Sequence, residues 1–431
     1  MLVARNAEQG PTADASKPAL LVLASTYPRW ANDPEPAFVH ELSRRLVDRF
    51  RVTVLCPHAS GARPTEWMDG VEVIRYRYAP ERWERLVNDG GIVTNLRRHR
   101  WMALLVPSFI GLQAWTTWRL LRTRRFDVVH AHWLIPQGLV AWLLQRAPAR
   151  PVPYVVTSHG ADLYALRGRA LAAVKRRVAL QAAAVSVVST PMQAAVQRMG
   201  VARQNVHVLP MGVDLSGRFV PGDEAQRSAH ELLFVGRLVE KKGLPHLLRA
   251  MPQVLRRVPQ AKLTIAGFGP DAQALARLAD ELGLAGAVKF LGAVPQSELP
   301  ALYRKAAAFV APFVRAASGD QEGLPVALME AVGCGCPVVA GYVPGLEDIF
   351  GPDITVATVD PSDTEALAQR IVSLLEAPND ARTRAAQLRI RLQGQLDWSA
   401  IAGRYAHLLL DVAQRASESL PHATTPPKCN P

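Results

Sequence analysis

The sequence predicts an α/β protein made of two doubly wound domains that face each other across a cleft. Three observations lead there. Short apolar runs, seven in the first half and six in the second, are mostly separated by stretches of helical spacing, the pattern of a parallel sheet covered on both faces. The section Met211–Ala229 breaks the series, loses the apolar pattern and gathers Gly, Pro, Asp and Ser, as linkers between domains do. The chain has 431 residues, 49% of them hydrophobic, enough for two cores of ordinary size.

Residues 1–18 read as a disordered lead. The first series of strands follows: Ala19–Ala24, Val52–Leu55, Val71–Tyr76, Asp127–His130, Tyr154–Thr157, Ala184–Val188 and Val206–Leu209. Phe38–Val47 and Leu171–Ala183 carry helical spacing between them. The apolar segment Trp101–Trp118 follows Arg97, Arg98 and Arg100 and precedes Arg119, Arg122, Arg124 and Arg125. Three readings stand for it: a buried helix, a contact lying in a membrane interface with Trp at headgroup level and Arg on lipid headgroups, and a span. Pro107, Gly111, Gln113 and the surrounding βα pattern weigh against the span.

The linker is expected over 213–230, between a domain of 19–212 and one of 231–397. The second series runs Leu232–Val235, Leu263–Ala266, Val288–Leu291, Ala308–Ala311, Val338–Ala340 and Ile354–Ala357. Leu244–Arg257, Ala272–Leu282, Ser297–Ala306 and Pro325–Val332 supply helices between these strands. A last helix over 398–414 is expected to cross between the domains, and the Ser/Pro/Thr-rich 415–431 to be a disordered tail. In doubly wound sheets ligands bind beyond the carboxyl ends of the strands, so two facing domains put the ligand in the cleft.

The formal net charge of +13 is unevenly spread. Residues 1–210 hold 28 Lys/Arg against 14 Asp/Glu, net +14, and the remainder holds 22 against 23, net −1. A basic first half suits an anionic membrane surface, a phosphate-bearing substrate or nucleic acid. No known nucleic-acid motif is interleaved with the basic residues, so nucleic acid is not expected as a partner. Cys334 and Cys336 stand in Gly333-Cys334-Gly335-Cys336-Pro337 without further ligands nearby, and read as small buried residues at a helix-to-strand turn. Four cysteines imply no disulfide framework and suit a reducing cytoplasm. No secretory signal is visible: the segment before Lys17 is polar, and Ala19–Ala24 is too short for one.

The chemistry concentrates in Gly319–Glu330, which reads as a loop turning directly into a helix. Gly319 and Gly323 allow close approach of a ligand, and Pro325 is expected at the first helical position, where its missing N–H is no loss. The free amides of Leu324 and Val326 would then point out of the helix start and attract an anion. Glu322 in the loop and Glu330 in the helix are placed to hold sugar hydroxyls beside it. The alternative is an acidic first turn that only offsets the helix dipole. Gly236-Arg237-Leu238-Val239-Glu240-Lys241-Lys242-Gly243 opens the second domain and puts Arg237 and Lys242 at the carboxyl end of a strand. Two cations there would stabilise a departing nucleoside diphosphate as its charge grows. Taken alone, a basic loop of this kind is ordinarily solvated surface.

These strings together resemble the retaining glycosyltransferases of family 4, of the bacterial cell-envelope or exopolysaccharide type, whose fold is GT-B, two facing Rossmann-like domains. Asp127-Val128-Val129-His130-Ala131-His132-Trp133, Thr157-Ser158-His159-Gly160-Ala161-Asp162 and Val208-Leu209-Pro210-Met211-Gly212-Val213-Asp214 are similar to further strings of the family, as are Ala266-Gly267-Phe268-Gly269-Pro270 and Phe290-Leu291-Gly292. The resemblance spans about residues 19–412. It implies that Arg237 and Lys242 bind the donor diphosphate. Glu322 would contact the donor sugar near the amides of Gly323 and Leu324, and Glu330 would hold the ribose. Gly236, Pro325 and Val326 would complete the donor cradle. It also implies that His159 reaches the donor sugar from the first, acceptor-side domain. His132 and Asp162 are acceptor-side candidates, though for His130 and His132 a purely structural role is preferred. Pro325 departs from the glycine many members carry and removes one amide donor. The loop Ser25–Val39 lacks the family's glycines, which leaves Arg29 as an acceptor or phosphate contact.

The reading is therefore a hexosyltransferase that uses a nucleotide-sugar, UDP-linked or GDP-mannose, and a saccharide or polyprenyl-linked acceptor. It would work on the inner face of the cytoplasmic membrane as a peripheral protein. No Asp-x-Asp string occurs, so neither metal nor cofactor is expected. A nucleotide-sugar epimerase of the same fold is the alternative, and a basic nucleic-acid-binding protein a remote one. A Rossmann dehydrogenase lacks support, since Gly267-Phe268-Gly269 has no third glycine at the required spacing.

Overall fold

The computed structural model describes residues 16–30, 33, 37–88, 91–147, 151–166 and 168–418. The expected lead lies outside the described residues up to residue 15, and the expected tail from residue 419. Eight strands share one sheet: β1 (Ala19–Leu23), β2 (Arg51–Pro57), β3 (Thr65–Met68), β4 (Val71–Tyr76), β5 (Val128–His132), β6 (Tyr154–Ser158), β7 (Ala184–Val187) and β8 (Val206–Val208). Their order is β3-β4-β2-β1-β5-β6-β7-β8, parallel except for the antiparallel edge strand β3. Six strands form the second sheet: β9 (Glu231–Val235), β10 (Lys262–Ala266), β11 (Val288–Gly292), β12 (Ala308–Ala311), β13 (Val338–Gly341) and β14 (Thr358–Val359). Their order is β11-β10-β9-β12-β13-β14, parallel throughout.

The central strands show why both sheets are covered twice. On β1, Leu21 and Leu23 pack with Phe109 and Tyr154, while Leu20 and Val22 pack with Tyr405 and Leu409 on the other face. On β9, Leu232 and Phe234 meet Leu247 and Ile371, and Leu233 meets Met329 and Leu388. Every second side chain therefore faces a different layer, and each fully buried Leu or Phe contributes about 1.5–3 kcal/mol.

Two elements differ from the sequence reading. Ile354–Ala357 is a turn of helix, and the strand is the two-residue β14 that follows. A four-residue run with three β-branched members cannot be told from a helical turn by periodicity, and Thr358 closes this turn by donating to the Ile354 carbonyl at 2.6 Å. β3 has no apolar run to reveal it, because it is an edge strand with no buried residue.

Helix Pro378–Leu396 packs into the second core and helix Trp398–Glu418 into the first. The crossing thus falls at Asp397, between the two helices rather than along the last one. There the Val213 amide donates to the Leu396 carbonyl (2.8 Å), and the Trp398 amide to the Val213 carbonyl (3.1 Å). The Asp397 carboxylate accepts from Leu215, Ser216 and Ser399, which ties the two crossing strands of chain together. Among the described residues no helix is long and apolar enough to cross a membrane. Cys334 and Cys336 are buried between helix Val326–Gly333 and β13, as small packing residues.

Candidate active site

In the second sheet the strand order reverses between β9 and β12, and both carboxyl ends there open into charged loops. The loop after β9 carries Arg237 and the single turn Glu240–Lys242. Gly243 ends that turn at φ +68°, and a Cβ on it would stand 1.7 Å from the Pro312 carbonyl oxygen, so only glycine fits where helix Leu244–Arg257 begins. The loop after β12 carries Phe313, Asp320 and Glu322. Lys242 Nζ lies 5.0 Å from the Phe313 ring centre and 3.4 Å from Glu322 Oε2. Lys241 Nζ lies 3.4 Å from both Glu322 Oε1 and Asp320 Oδ2.

Burial opposes ionisation of Glu322, but the two lysines outweigh it and hold its carboxyl down to about 2. Burial lowers Lys242, aided by its neighbours Lys241 and Arg237, although Glu322 pulls the other way. Lys241 feels the same burial but is raised by Glu322 and Asp320. Arg237, Lys241 and Lys242 against Asp320 and Glu322 leave the cluster one positive charge in excess, with Arg237 Nε buried and without a hydrogen-bond partner among the described residues.

Helix Val326–Gly333 starts one residue later than its sequence predicts. Pro325 is the cap, at φ −79° and ψ 106°, an extended conformation outside the helix. Its missing N–H remains harmless there, since a cap amide is not part of the helical ladder. The amides of Gly323, Leu324 and Val326 have no hydrogen-bond partner among the described residues, which leaves the positive end of the helix open. The Gly236 amide, by contrast, donates to the Ala266 carbonyl at 3.0 Å, so Gly236 shapes the turn and its N–H is not available to a donor. Glu330 is buried in the helix, accepting from Gln296 Nε2 (2.6 Å) and Tyr303 Oη (3.0 Å). Burial raises its carboxyl above the usual range.

The first domain closes over this cluster. A Cβ on Gly323 would stand 2.8 Å from the His159 carbonyl oxygen and 3.0 Å from Val188, and a Cβ on Gly160 would stand 3.3 Å from Gly323 Cα. Backbone meets backbone here, and glycine is what the approach requires. A Cβ on Gly91 would lie 3.6 Å from the Arg237 guanidinium. His159 follows β6 with its ring packed against Phe38 and Trp133, each ring centre 4.9 Å away. Its Nε2 is 2.9 Å from His132 Nδ1. Burial, with His130 nearby, pushes His159 down to about 3, so the ring is neutral.

The three acceptor-side candidates are bound up within the first domain. Asp162 is buried, its oxygens accepting from the Leu134 amide (2.7 Å) and Ser158 Oγ (2.8 Å), so it holds the loop behind His159 and does not line the cleft. His132 is fully buried and meets the cleft only through His159. Arg29 is bound to Asp33 through Nε (2.8 Å) and Nη2 (2.7 Å), which commits its guanidinium within its own loop. Arg237, Lys242, Glu322, Gly323, Leu324, Val326, Glu330 and His159 do come together. Sequence reasoning missed Lys241, Asp320 and Phe313 as partners in the charge cluster, and Gln296 and Tyr303 around Glu330. Lys241 stood next to an identified lysine and was the one findable signal.

The arrangement can take an anion at the cationic loop and open helix end, with two carboxylates beside it for hydroxyl groups. Comparison with known proteins agrees. Residues 36–212 match the family described as glycosyl transferase 4-like domain, and residues 224–389 match glycosyl transferases group 1. A GDP-mannose-dependent alpha-(1-6)-phosphatidylinositol monomannoside mannosyltransferase of Mycolicibacterium smegmatis is 32% identical over 302 residues, 68% of this chain and 78% of that protein. A putative colanic acid biosynthesis glycosyltransferase, WcaL of Escherichia coli K12, is 36% identical over 185 residues, 43% of this chain and 45% of that one. The sucrose-phosphate synthase of Thermosynechococcus elongatus has the same fold, with TM-score 0.75 over 93% of this chain and all of that one (100%) at 22% identity. Anabaena HepE, solved with UDP-glucose, gives 0.67 over 91% and 99% at 18% identity.

Proposed function

This chain belongs to the group 1, family 4-like glycosyltransferases of GT-B fold and is a hexosyltransferase, and we propose that it moves its hexose from a nucleoside-diphosphate sugar to a saccharide or polyprenyl-linked acceptor with retention at the anomeric carbon. One observation carries the donor assignment: Lys242, with Arg237 near enough to act on it, lies 3.4 Å from Glu322 beside the amides of Gly323, Leu324 and Val326, which have no hydrogen-bond partner among the described residues. The M. smegmatis relative is named for GDP-mannose and HepE was solved with UDP-glucose, which supports a nucleotide-linked donor.

Arg237 and Lys242 neutralise the diphosphate as the glycosidic bond lengthens. Glu322 stays ionised and orients sugar hydroxyls through Oε1, which beyond its ion pair with Lys241 Nζ at 3.4 Å has no hydrogen-bond partner among the described residues. It is an acceptor of hydrogen bonds, not an acid and not the nucleophile. Each Glu330 oxygen has one protein donor and retains capacity for a ribose hydroxyl. His159 meets the donor sugar from the opposite wall. The acceptor hydroxyl attacks from the face that the diphosphate leaves, and its proton passes to a departing phosphate oxygen. A labelled-donor assay over GDP-mannose and UDP-hexoses tests the reading. Acceptor-dependent release of one nucleoside diphosphate is expected; sugar conversion without acceptor, or no release with any donor, contradicts it.

The same proposal places the enzyme on the cytoplasmic face of an anionic membrane. Helix Leu105–Thr123 buries Phe109, Gln113 and Leu120 and turns Trp115 (59% exposed) outward, and the short turn Arg100–Leu104 before it exposes Leu104 (81%) and Trp101 (47%). Trp115 stacks on Trp118, Arg122 lies over that ring, and no acidic residue occurs between 90 and 126. Apolar rings beside arginines fit a headgroup layer. Cosedimentation with phosphatidylglycerol-containing vesicles is expected, weakened when Leu104 and Trp115 are changed to Ser. Equal binding by wild type and variant contradicts this face.

A further inference from the structure

We propose that His132 is a positioning residue that holds His159 in the tautomer protonated at Nδ1, so that His159 meets its ligand only as a hydrogen-bond donor. The inference rests on the reading that His159 touches the donor. His132 ends β5 beside Thr157 of β6, and the two rings lie nearly parallel, 6° apart, with His132 Nδ1 2.9 Å from His159 Nε2. Both rings are buried enough to be neutral: His132 is pushed well below the usual histidine range by burial and by the neighbouring imidazoles. One proton therefore sits between the two nitrogens, and either ring can be its owner.

The far side of His132 decides between them. His132 Nε2 is buried and has no hydrogen-bond partner among the described residues. Were His132 to accept at Nδ1, its own proton would sit on Nε2, as a buried N–H with nothing to receive it. Were it to donate from Nδ1, Nε2 would carry only an unused lone pair. Orphaned buried N–H groups are rarer than under-used acceptors, so the second arrangement is favoured. His159 Nε2 then accepts, and the proton of the neutral His159 ring lies on Nδ1. With Nε2 engaged by His132 and the ring packed against Phe38 and Trp133, Nδ1–H is the one polar group left on the His159 ring. Its target must be an acceptor, a sugar hydroxyl oxygen or a phosphate oxygen, and His159 in this state is not a general base.

Nitrogen-15 NMR of the full chain labelled at its histidine rings, with His159 assigned by loss of its signals in His159→Gln, reads the tautomer directly. The Nδ1–H pattern is expected for His159, and an Nε2–H pattern overturns the proposal. Kinetics then test the positioning. His132→Leu, which removes the donor, is expected to lower kcat about 10- to 100-fold with donor KM changed less than about threefold. His132→Asn, whose amide nitrogen stands near the lost Nδ1, is expected to recover most of that loss. An Asn variant no better than Leu overturns the role of the hydrogen bond. A protein inactive with every donor would sink the transferase reading above and leave the tautomer to the spectrum.

Discussion

Replacing Lys242 with Ala isolates the charge at the leaving group. The cluster of Arg237, Lys241, Lys242, Asp320 and Glu322 falls from one excess positive charge to none. Two unit charges 4 Å apart interact by about 4 kcal/mol at an effective dielectric near 20, and a charge-assisted hydrogen bond is worth about 1.5–3 kcal/mol net. A loss near 3 kcal/mol corresponds to roughly 150-fold in kcat/KM, and because charge grows as the bond breaks, kcat must share it. The fold should tolerate the change, since Lys241 still holds Glu322 at 3.4 Å. Lys241→Ala is the control: its ammonium is divided between Asp320 and Glu322 and should lower kcat/KM at least about tenfold less. Initial rates of nucleoside diphosphate release, with melting temperatures beside them, measure both variants. Unchanged kcat/KM in Lys242→Ala, or equal losses in the two, would refute the leaving-group role.

Glu330→Gln should raise donor KM about tenfold with kcat within about threefold, and a large fall in kcat at constant KM would count against ribose binding. Gly323→Ala places a methyl 2.8 Å from the His159 carbonyl oxygen, so the cleft cannot close fully; kcat/KM should fall by about tenfold or more while the melting temperature stays near wild type, and unaltered kinetics would contradict the closure. His130 is fully buried and pushed down to about 3 by that burial. Between that value and the ordinary histidine value near ~6.5 the unfolded chain binds a proton the native one refuses, so stability falls as pH falls through this window, and His130 alone contributes about 2 kcal/mol of the fall from pH 7 to 5. Urea unfolding at the two pH values measures it; His130→Asn should flatten the dependence by that amount, and an unchanged slope would remove the assignment.

The parts of the site legible in the sequence are those written in contiguous strings. Gly236–Gly243 and Gly319–Glu330 each carry their own strand end, turn residues and helix start, so local chemistry places Arg237, Lys242, Glu322 and Glu330 together. Both sheets were legible for the same reason, through runs such as Leu20–Leu23 and Leu232–Val235 that are buried on two faces. Partners supplied by the tertiary fold were not. Gln296 and Tyr303 reach Glu330 across 34 and 27 residues of chain, and nothing in their own surroundings marks them. Asp162 illustrates the opposite error. A polar residue just after a strand end looks like a ligand group, yet Asp162 is buried and spends its hydrogen bonds on the Leu134 amide and Ser158. Pro325 was displaced by one position because its sequence fits both a cap and a first turn.

A crystal structure with GDP or UDP bound tests the central claim most directly. The pyrophosphate is expected against Arg237, Lys242 and the amides at the start of helix Val326–Gly333, with ribose hydroxyls on Glu330. A nucleotide bound away from Arg237 and Glu330 would contradict it.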